Sequence, residues 1–125
     1  MKQLKAEGKG EYDYDFAHDI LFFKVKNREY VKSIELDNII IDIDYEDFIV
    51  GIQIFEASKF LEIDKKHLMN IKKWKFAAAV SEKRIILKFA FQYVMRNKII
   101  EPKPIIVERT EESLPDSEMI CVPQK

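Results

Sequence analysis

The sequence predicts an α+β fold built mainly of antiparallel strands in consecutive hairpins, with one or two short helices between Ala57 and Lys73. Three observations lead there. From Ile39 the chain alternates: Ile39, Ile41, Ile43 and Tyr45 share one face, and Ile40, Asp42 and Asp44 the other, the period of a half-buried strand. After the acidic turn Asp44-Tyr45-Glu46-Asp47, the run Phe48 to Phe55 returns with Val50, Ile52 and Ile54 inward. A second pair of runs flanks Ser81-Glu82-Lys83-Arg84, and there the register itself can be argued.

If those four residues turn, Val80 lies opposite Ile85, Ala78 opposite Leu87, Phe76 opposite Phe89 and Trp74 opposite Phe91. All eight fall on one face. The reverse face carries Ser81 and Arg84, Ala79 and Ile86, Ala77 and Lys88, Lys75 and Ala90, and Lys73 and Gln92. A slip of one residue would mix the two sets, so the pattern specifies the register strongly. Each aromatic pair adds a few tenths to about 1 kcal/mol. The turn holds no Asn-Gly or Asp-Gly, which leaves its type open.

The other elements follow in order. Residues 1–11 read as a flexible polar segment, residues 12–110 as a single domain, and residues 111–125 as an acidic tail. Tyr12 to Tyr14 forms a short first strand, and Asp15 to Asp19 a turn, since Asp side chains bond backbone amides two residues on. In Ile20 to Lys26 both faces start apolar, which predicts a central strand covered on both sides. Gly51, on the outward face of its strand, leaves room for a close neighbour, a helix or a partner chain. A helix begins near Ala57 with Ser58 as its cap. A second begins at Asp64, with Ile63 and Leu68 at the spacing of a hydrophobic staple. Ile99 to Arg109 contains a strand placed at an edge by Pro102 and Pro104. In the tail, Met119 to Val122 either docks as a last strand or stays mobile.

Composition narrows the function classes. A chain of 125 residues with 47% hydrophobic side chains can bury one core without metal or disulfide. The lone Cys121 excludes an intrachain disulfide and fits a reducing compartment. The opening residues MKQLKAEGKGE lack an apolar signal region, and no apolar run nears the roughly 18 residues of a membrane span. The expectation is a soluble, cytoplasmic protein. With only three glycines, two of them near the N-terminus, neither a P-loop nor a dinucleotide fingerprint can be drawn, and no cofactor is expected. The net charge of −1 hides an acidic front, a basic middle and an acidic tail: residues 1–56 sum to −6, residues 57–103 to +8 and residues 104–125 to −3.

Few residues suggest chemistry. Asp15, His18, Asp19, Asp42 and Asp44, with Asp13, Glu46 and Asp47, are oxygen-rich turn residues that a hard cation would need to find together. Turn formation and strand blunting explain the same acids. The stretch from Asp42 lacks both the glycine and the closing glutamate of a calcium loop. His18 and His67 are the only histidines, and neither stands beside a nucleophile in sequence, so no catalytic residue is assigned. Lys65, Lys66, Lys72, Lys73 and Lys75 around Trp74 offer phosphate contacts and a stacking platform, although Trp74 falls on the apolar face. The small residues Ala77, Ala79 and Ala90 with Ile86 could be covered by a further layer of this chain or by a second copy.

Tyr14-Asp15, Asp19, Leu21, Glu35-Leu36-Asp37, Asp42, Asp44, Val50-Gly51-Ile52 and Ala57-Ser58, in this order and spacing, resemble the family called domain of unknown function 2283 (DUF2283). The likeness spans Tyr14 to Leu61. Asp47 stands where that family turns on glycine, and Gln53 where it carries a glutamate. The resemblance implies no assigned activity, and by analogy a partner-binding, antitoxin-type role. The combined expectation is a non-enzymatic interaction domain, a homodimer that also accepts a protein partner. The alternatives are a nucleic-acid-associated protein using Lys65 to Lys88, and then an enzyme of unrecognised type.

Overall fold

The computed structural model describes residues 4–124. Ten strands and two helical turns follow in chain order: β1 (Leu4–Asp15), β2 (Ile20–Val25), β3 (Tyr30–Leu36), β4 (Ile39–Asp44), β5 (Ile49–Phe55), α1 (Ala57–Leu61), α2 (Lys65–Leu68), β6 (Lys73–Ser81), β7 (Arg84–Met95), β8 (Lys98–Ile100), β9 (Ile105–Arg109) and β10 (Ser117–Pro123). The fold is thus largely antiparallel sheet with short helices between β5 and β6. Among the described residues no helix is long and apolar enough to cross a membrane.

The strands form one sheet in the order β3-β4-β5-β2-β1-β10-β6-β7-β8, with β9 also paired to β7. The sheet is strongly coiled. Strands lie about 4.8 Å apart, so β2 and β7, four places apart, would stand roughly 19 Å apart if flat. Yet the Phe23 ring on β2 stacks 5.9 Å from Phe91 on β7 and lies 5.4 Å from Phe89. Trp74 and Phe76 of β6 complete this aromatic centre, at 5.2 and 5.7 Å from Phe23. Leu21, Ile39, Ile41, Ile52, Ile54, Ile85 and Leu87 bury the rest of one core.

The second hairpin has the register that its sequence dictates, from Lys73 opposite Gln92 to Ser81 opposite Arg84. Its turn is also resolved: Glu82 and Lys83 both take positive φ (49° and 63°), the signature of a type I′ turn made without glycine. Pro102 and Pro104 precede β9, which pairs only with β7 and so is the edge strand expected.

Several expectations give way. The polar N-terminal segment is not free: from Leu4 it belongs to β1, while residues 1–3 lie outside the described residues. Residues 4–10 of β1 run parallel to β10, and residues 10–15 antiparallel to β2. The tail does more than dock. β10 lies between β1 and β6 and joins the two halves of the sheet. β2 is central, but only Leu21, Phe23 and Val25 are buried; Ile20 and Phe22 on its other face are half-exposed. Tyr45 leaves the alternating face and is exposed in the turn. Neither helix start uses its own predicted cap: the side chain of Asp64 makes no cap bond, and α1 begins after Glu56 in a left-handed conformation. The staple residues Ile63 and Leu68 are both buried.

Glycine is used here for closeness rather than for turning. Among the described residues ten non-glycine residues have positive φ and no glycine does. A Cβ on Gly10 would lie 2.1 Å from the Lys24 carbonyl oxygen, and one on Gly8 2.7 Å from Val25 Cγ1. These two positions let β1 pass from one half of the coiled sheet to the other.

Candidate functional site

The residues singled out in the sequence fall into two carboxylate clusters. The first closes the turn between β1 and β2. Asp19 takes a left-handed conformation, φ 55°, which an Asp tolerates better than most residues. Its backbone carbonyl accepts the Ala57 N–H at 3.0 Å. Its carboxylate accepts the Tyr14 hydroxyl at 2.5 Å, the Ser58 N–H at 3.0 Å and the Ser58 hydroxyl at 2.7 Å. Ser58 is therefore a donor to Asp19, and it is Asp19, from another turn, that caps the start of α1. Burial pushes the Asp19 carboxyl up, but the bonds from Tyr14 and Ser58, with Lys65 nearby, outweigh it and hold it below the usual carboxylate range. Burial and the same bond raise the Tyr14 phenol. Asp15 and His18 pair with each other at the surface, Nδ1 to Oδ2 at 2.8 Å, and this holds Asp15 low.

The second cluster lies around the β4–β5 turn. Asp44 is buried; Oδ1 accepts the N–H groups of Glu46 and Phe48, both at 3.0 Å, and Oδ2 meets Arg28 at 2.8 Å. Arg28 also reaches Glu46 at 3.1 Å and stands 5.1 Å over the Phe48 ring. Asp42 faces outward. It accepts the Ser33 hydroxyl at 2.6 Å, and its Oδ2 lies 2.7 Å from where a Cβ of Gly51 would be. Within this chain the close neighbour of Gly51 is thus this carboxylate rather than a helix.

The structure does not bring these acids together. Asp19 binds Tyr14 and Ser58, Asp15 binds His18, Asp44 binds Arg28, and Asp42 binds Ser33. Among the described residues no group of three or more His, Cys, Asp or Glu side chains is placed to hold a metal ion. Beside Gly51, however, the outer face forms an open concavity of about 590 Å3, lined among others by Glu11, Asp13, Phe22, Tyr30, Asp42 and Gln53.

The basic set is divided. Lys65 and Lys66 lie on α2, and Lys65 stands 5.3 Å over the Phe16 ring. Lys72 and Lys73 lead into β6, where Lys73 and Lys75 point outward. Trp74 is 6% exposed within the aromatic centre, so it is no platform for a base. His67 is not a surface residue among lysines. It is buried, stacks on Tyr93 at 4.3 Å, and its Nε2 has no hydrogen-bond partner. Cys121 is buried on β10, where desolvation pushes its thiol up to about 11.

Sequence reasoning missed the Tyr14–Asp19–Ser58 network because its ends are far apart in the chain. The signal was the Tyr-Asp and Ala-Ser pairs, whose joint role appears only when β2 and β5 pair. Arg28 with Asp44 carried no local signal.

A family model described as "Protein of unknown function (DUF2283)" matches residues 11–58. A protein of Methanosarcina mazei named "Putative hypoxanthine phosphoribosyltransferase" is 41% identical over 91 residues, covering 73% of this chain and 74% of that protein. An uncharacterized protein of Methanocaldococcus jannaschii is 28% identical over 113 residues, 90% of this chain and 97% of its own length. No solved structure matches.

Proposed function

We propose that this chain, which belongs to the DUF2283 family of proteins of unknown function, is a non-catalytic interaction domain that pairs with a second copy of itself. One observation carries the reading: the outer face of β10, β6, β7 and β9 is uncovered, its small and branched apolar residues are interspersed with Glu118 and Lys88, and Glu7 and Lys88 match under two-fold symmetry.

The register places Glu7, Ile120, Ala77, Lys88 and Ile105 side by side across five strands. The next row holds Lys5, Glu118, Ala79, Ile86 and Val107. Ile105 and Val107 are 61% and 55% exposed. Ala77, Ala79, Ile86 and Ile120 are part-exposed and lie outside the core. A two-fold axis along the strands, between β10 and β6, lays Ile120 of one copy on Ala77 of the other and Glu7 opposite Lys88. Such a contact is isologous, and two-fold dimers are the commonest soluble assemblies.

The non-catalytic part of the reading rests on how the polar groups are engaged. Asp42 accepts from the Ser33 hydroxyl, Asp44 from the Phe48 N–H and Asp19 from the Ser58 hydroxyl. The name of the Methanosarcina relative would suggest phosphoribosyl transfer. That activity is not carried over: all three glycines lie inside strands, away from any loop that could cradle a phosphate.

Sedimentation at micromolar concentration tests the pairing. A dimer is expected, dissociated by Ala79→Arg, weakened by Lys88→Glu and restored when Glu7→Lys is added. A monomer throughout, or a dimer indifferent to both substitutions, would refute it.

A further inference from the structure

We propose that the concavity beside Gly51 and the open edge of β3 together bind an extended, positively charged segment of a partner protein. The inference rests on the interaction-domain reading and adds a second surface with a defined chemistry.

The floor comes from the register. On the outer face one row runs Glu11, Lys24, Gly51, Asp42, Ser33, and the next Asp13, Phe22, Gln53, Ile40, Glu35. Because residue 51 has no side chain, the Asp42 carboxylate lies down over its backbone, fixed by Ser33. Phe22 is half-exposed beside it, and Tyr30, 58% exposed, forms a lip.

The charge of the concavity is one-sided. Glu11, Asp13 and Asp42 line it with two cations, Lys24 and Arg28. Arg28 is already tied to Asp44 and Glu46. Three carboxylates thus face one available cation, between two aromatic rings. A guanidinium or ammonium is the group that such a lining recognises, by charge-assisted bonds and by cation–π contact.

The shape of the ligand follows from the edge. β3 pairs only with β4, so its other side offers unpaired N–H and C=O groups. A bulge between Tyr30 and Lys32 leaves Val31 out of the ladder, 65% exposed. An extended segment added along β3 would place alternate side chains over the near end of the concavity, at Tyr30 and Asp42. Main-chain bonds would supply affinity and the acidic floor selectivity.

The test uses a twelve-residue peptide of alternating Val and Arg, titrated into the labelled full-length protein and followed by amide NMR. Gly51 should shift while Gly8, on the far side of the sheet order, stays still. Asp42→Asn should weaken binding at least tenfold with the fold intact. A Val-Glu peptide should not bind, and methylating alternate peptide nitrogens should abolish the effect. An unmoved Gly51, equal binding of the Val-Glu peptide, or indifference to Asp42→Asn or to N-methylation would overturn the proposal. A monomer whose Gly51 still shifts would refute only the self-pairing; a dimer with a silent Gly51 would refute only this surface.

Discussion

Replacing Asp19 tests whether the most family-like residues hold the fold rather than perform chemistry. In Asp19→Ala, the Tyr14 hydroxyl and two donors of Ser58 lose their acceptor. Tyr14 is 8% exposed, so its hydroxyl recovers only part of its loss from solvent. A buried donor left unpaired costs about 1–3 kcal/mol, and a bond to a charged group contributes about 1.5–3 kcal/mol. Ser58 is part-exposed and recovers some of its loss from solvent. The expected destabilisation is therefore about 3–4 kcal/mol, a large share of the 5–15 kcal/mol typical of a domain. Asp19→Asn keeps the shape and should lose about half as much. The pH dependence has a fixed sign. The folded-state pKa of Asp19 is depressed, so its contribution is complete above the unfolded value, about 3.9, and disappears as pH falls through the folded value. Urea unfolding, read by the buried Trp74 between pH 7 and strong acid, measures both effects. A cost under about 1 kcal/mol for Asp19→Ala, or a gap to wild type that persists unchanged at the lowest pH, would refute the reasoning.

Two further expectations concern the backbone. Gly10→Ala should destabilise by about 3 kcal/mol, the upper end of overpacking, because its Cβ meets a carbonyl oxygen at 2.1 Å. Gly8→Ala meets only a Val25 methyl and should cost about 1 kcal/mol; thermal melts giving the reverse order would contradict the close-approach argument. Lys83→Gly should stabilise by about 0.5–1 kcal/mol, since relief of a left-handed residue exceeds the added chain entropy. A lower midpoint in urea would show that the turn is not of the type assigned.

What the sequence disclosed followed the range of the signal. The β6–β7 register was legible because eight apolar residues segregate over a short loop, and a slip is penalised at every pair. The Ile39 hairpin was legible for the same reason, apart from Tyr45, which the turn carries out of the face. The strand role of residues 4–11 was not legible. Lys5, Glu7 and Lys9 face outward, and the inward positions hold Ala6, Gly8 and Gly10, too small to register as an apolar alternation. β10 was half legible: Met119 and Cys121 are apolar, but its parallel partner lies at the opposite end of the chain. The site residues were visible as types and not as partners. Asp42 and Asp44 are two residues apart, yet one lies over Gly51 and the other is buried against Arg28.

The architecture bears on what the family segment is for. Residues 11–58 comprise the second half of β1, the strands β2 to β5 and the start of α1. They begin one residue past Gly10, which pairs with both Val25 and Pro123 where β1 changes partner. Taken alone, this half-sheet would present Leu21, Phe23, Ile52 and Ile54 on an inner face with nothing against it. In this chain Trp74, Phe76, Phe89 and Phe91 supply the missing cover, and β10 ties that cover to the segment in one sheet. Any chain made only of such a segment would have to find an equivalent apolar surface on another molecule or leave its core in water. Here that need is met within the molecule. The Tyr14–Asp19–Ser58 network then acquires a reason independent of chemistry. It locks the turn of one hairpin to the helix after the other, and so fixes the strands whose outer face carries Gly51 and Asp42.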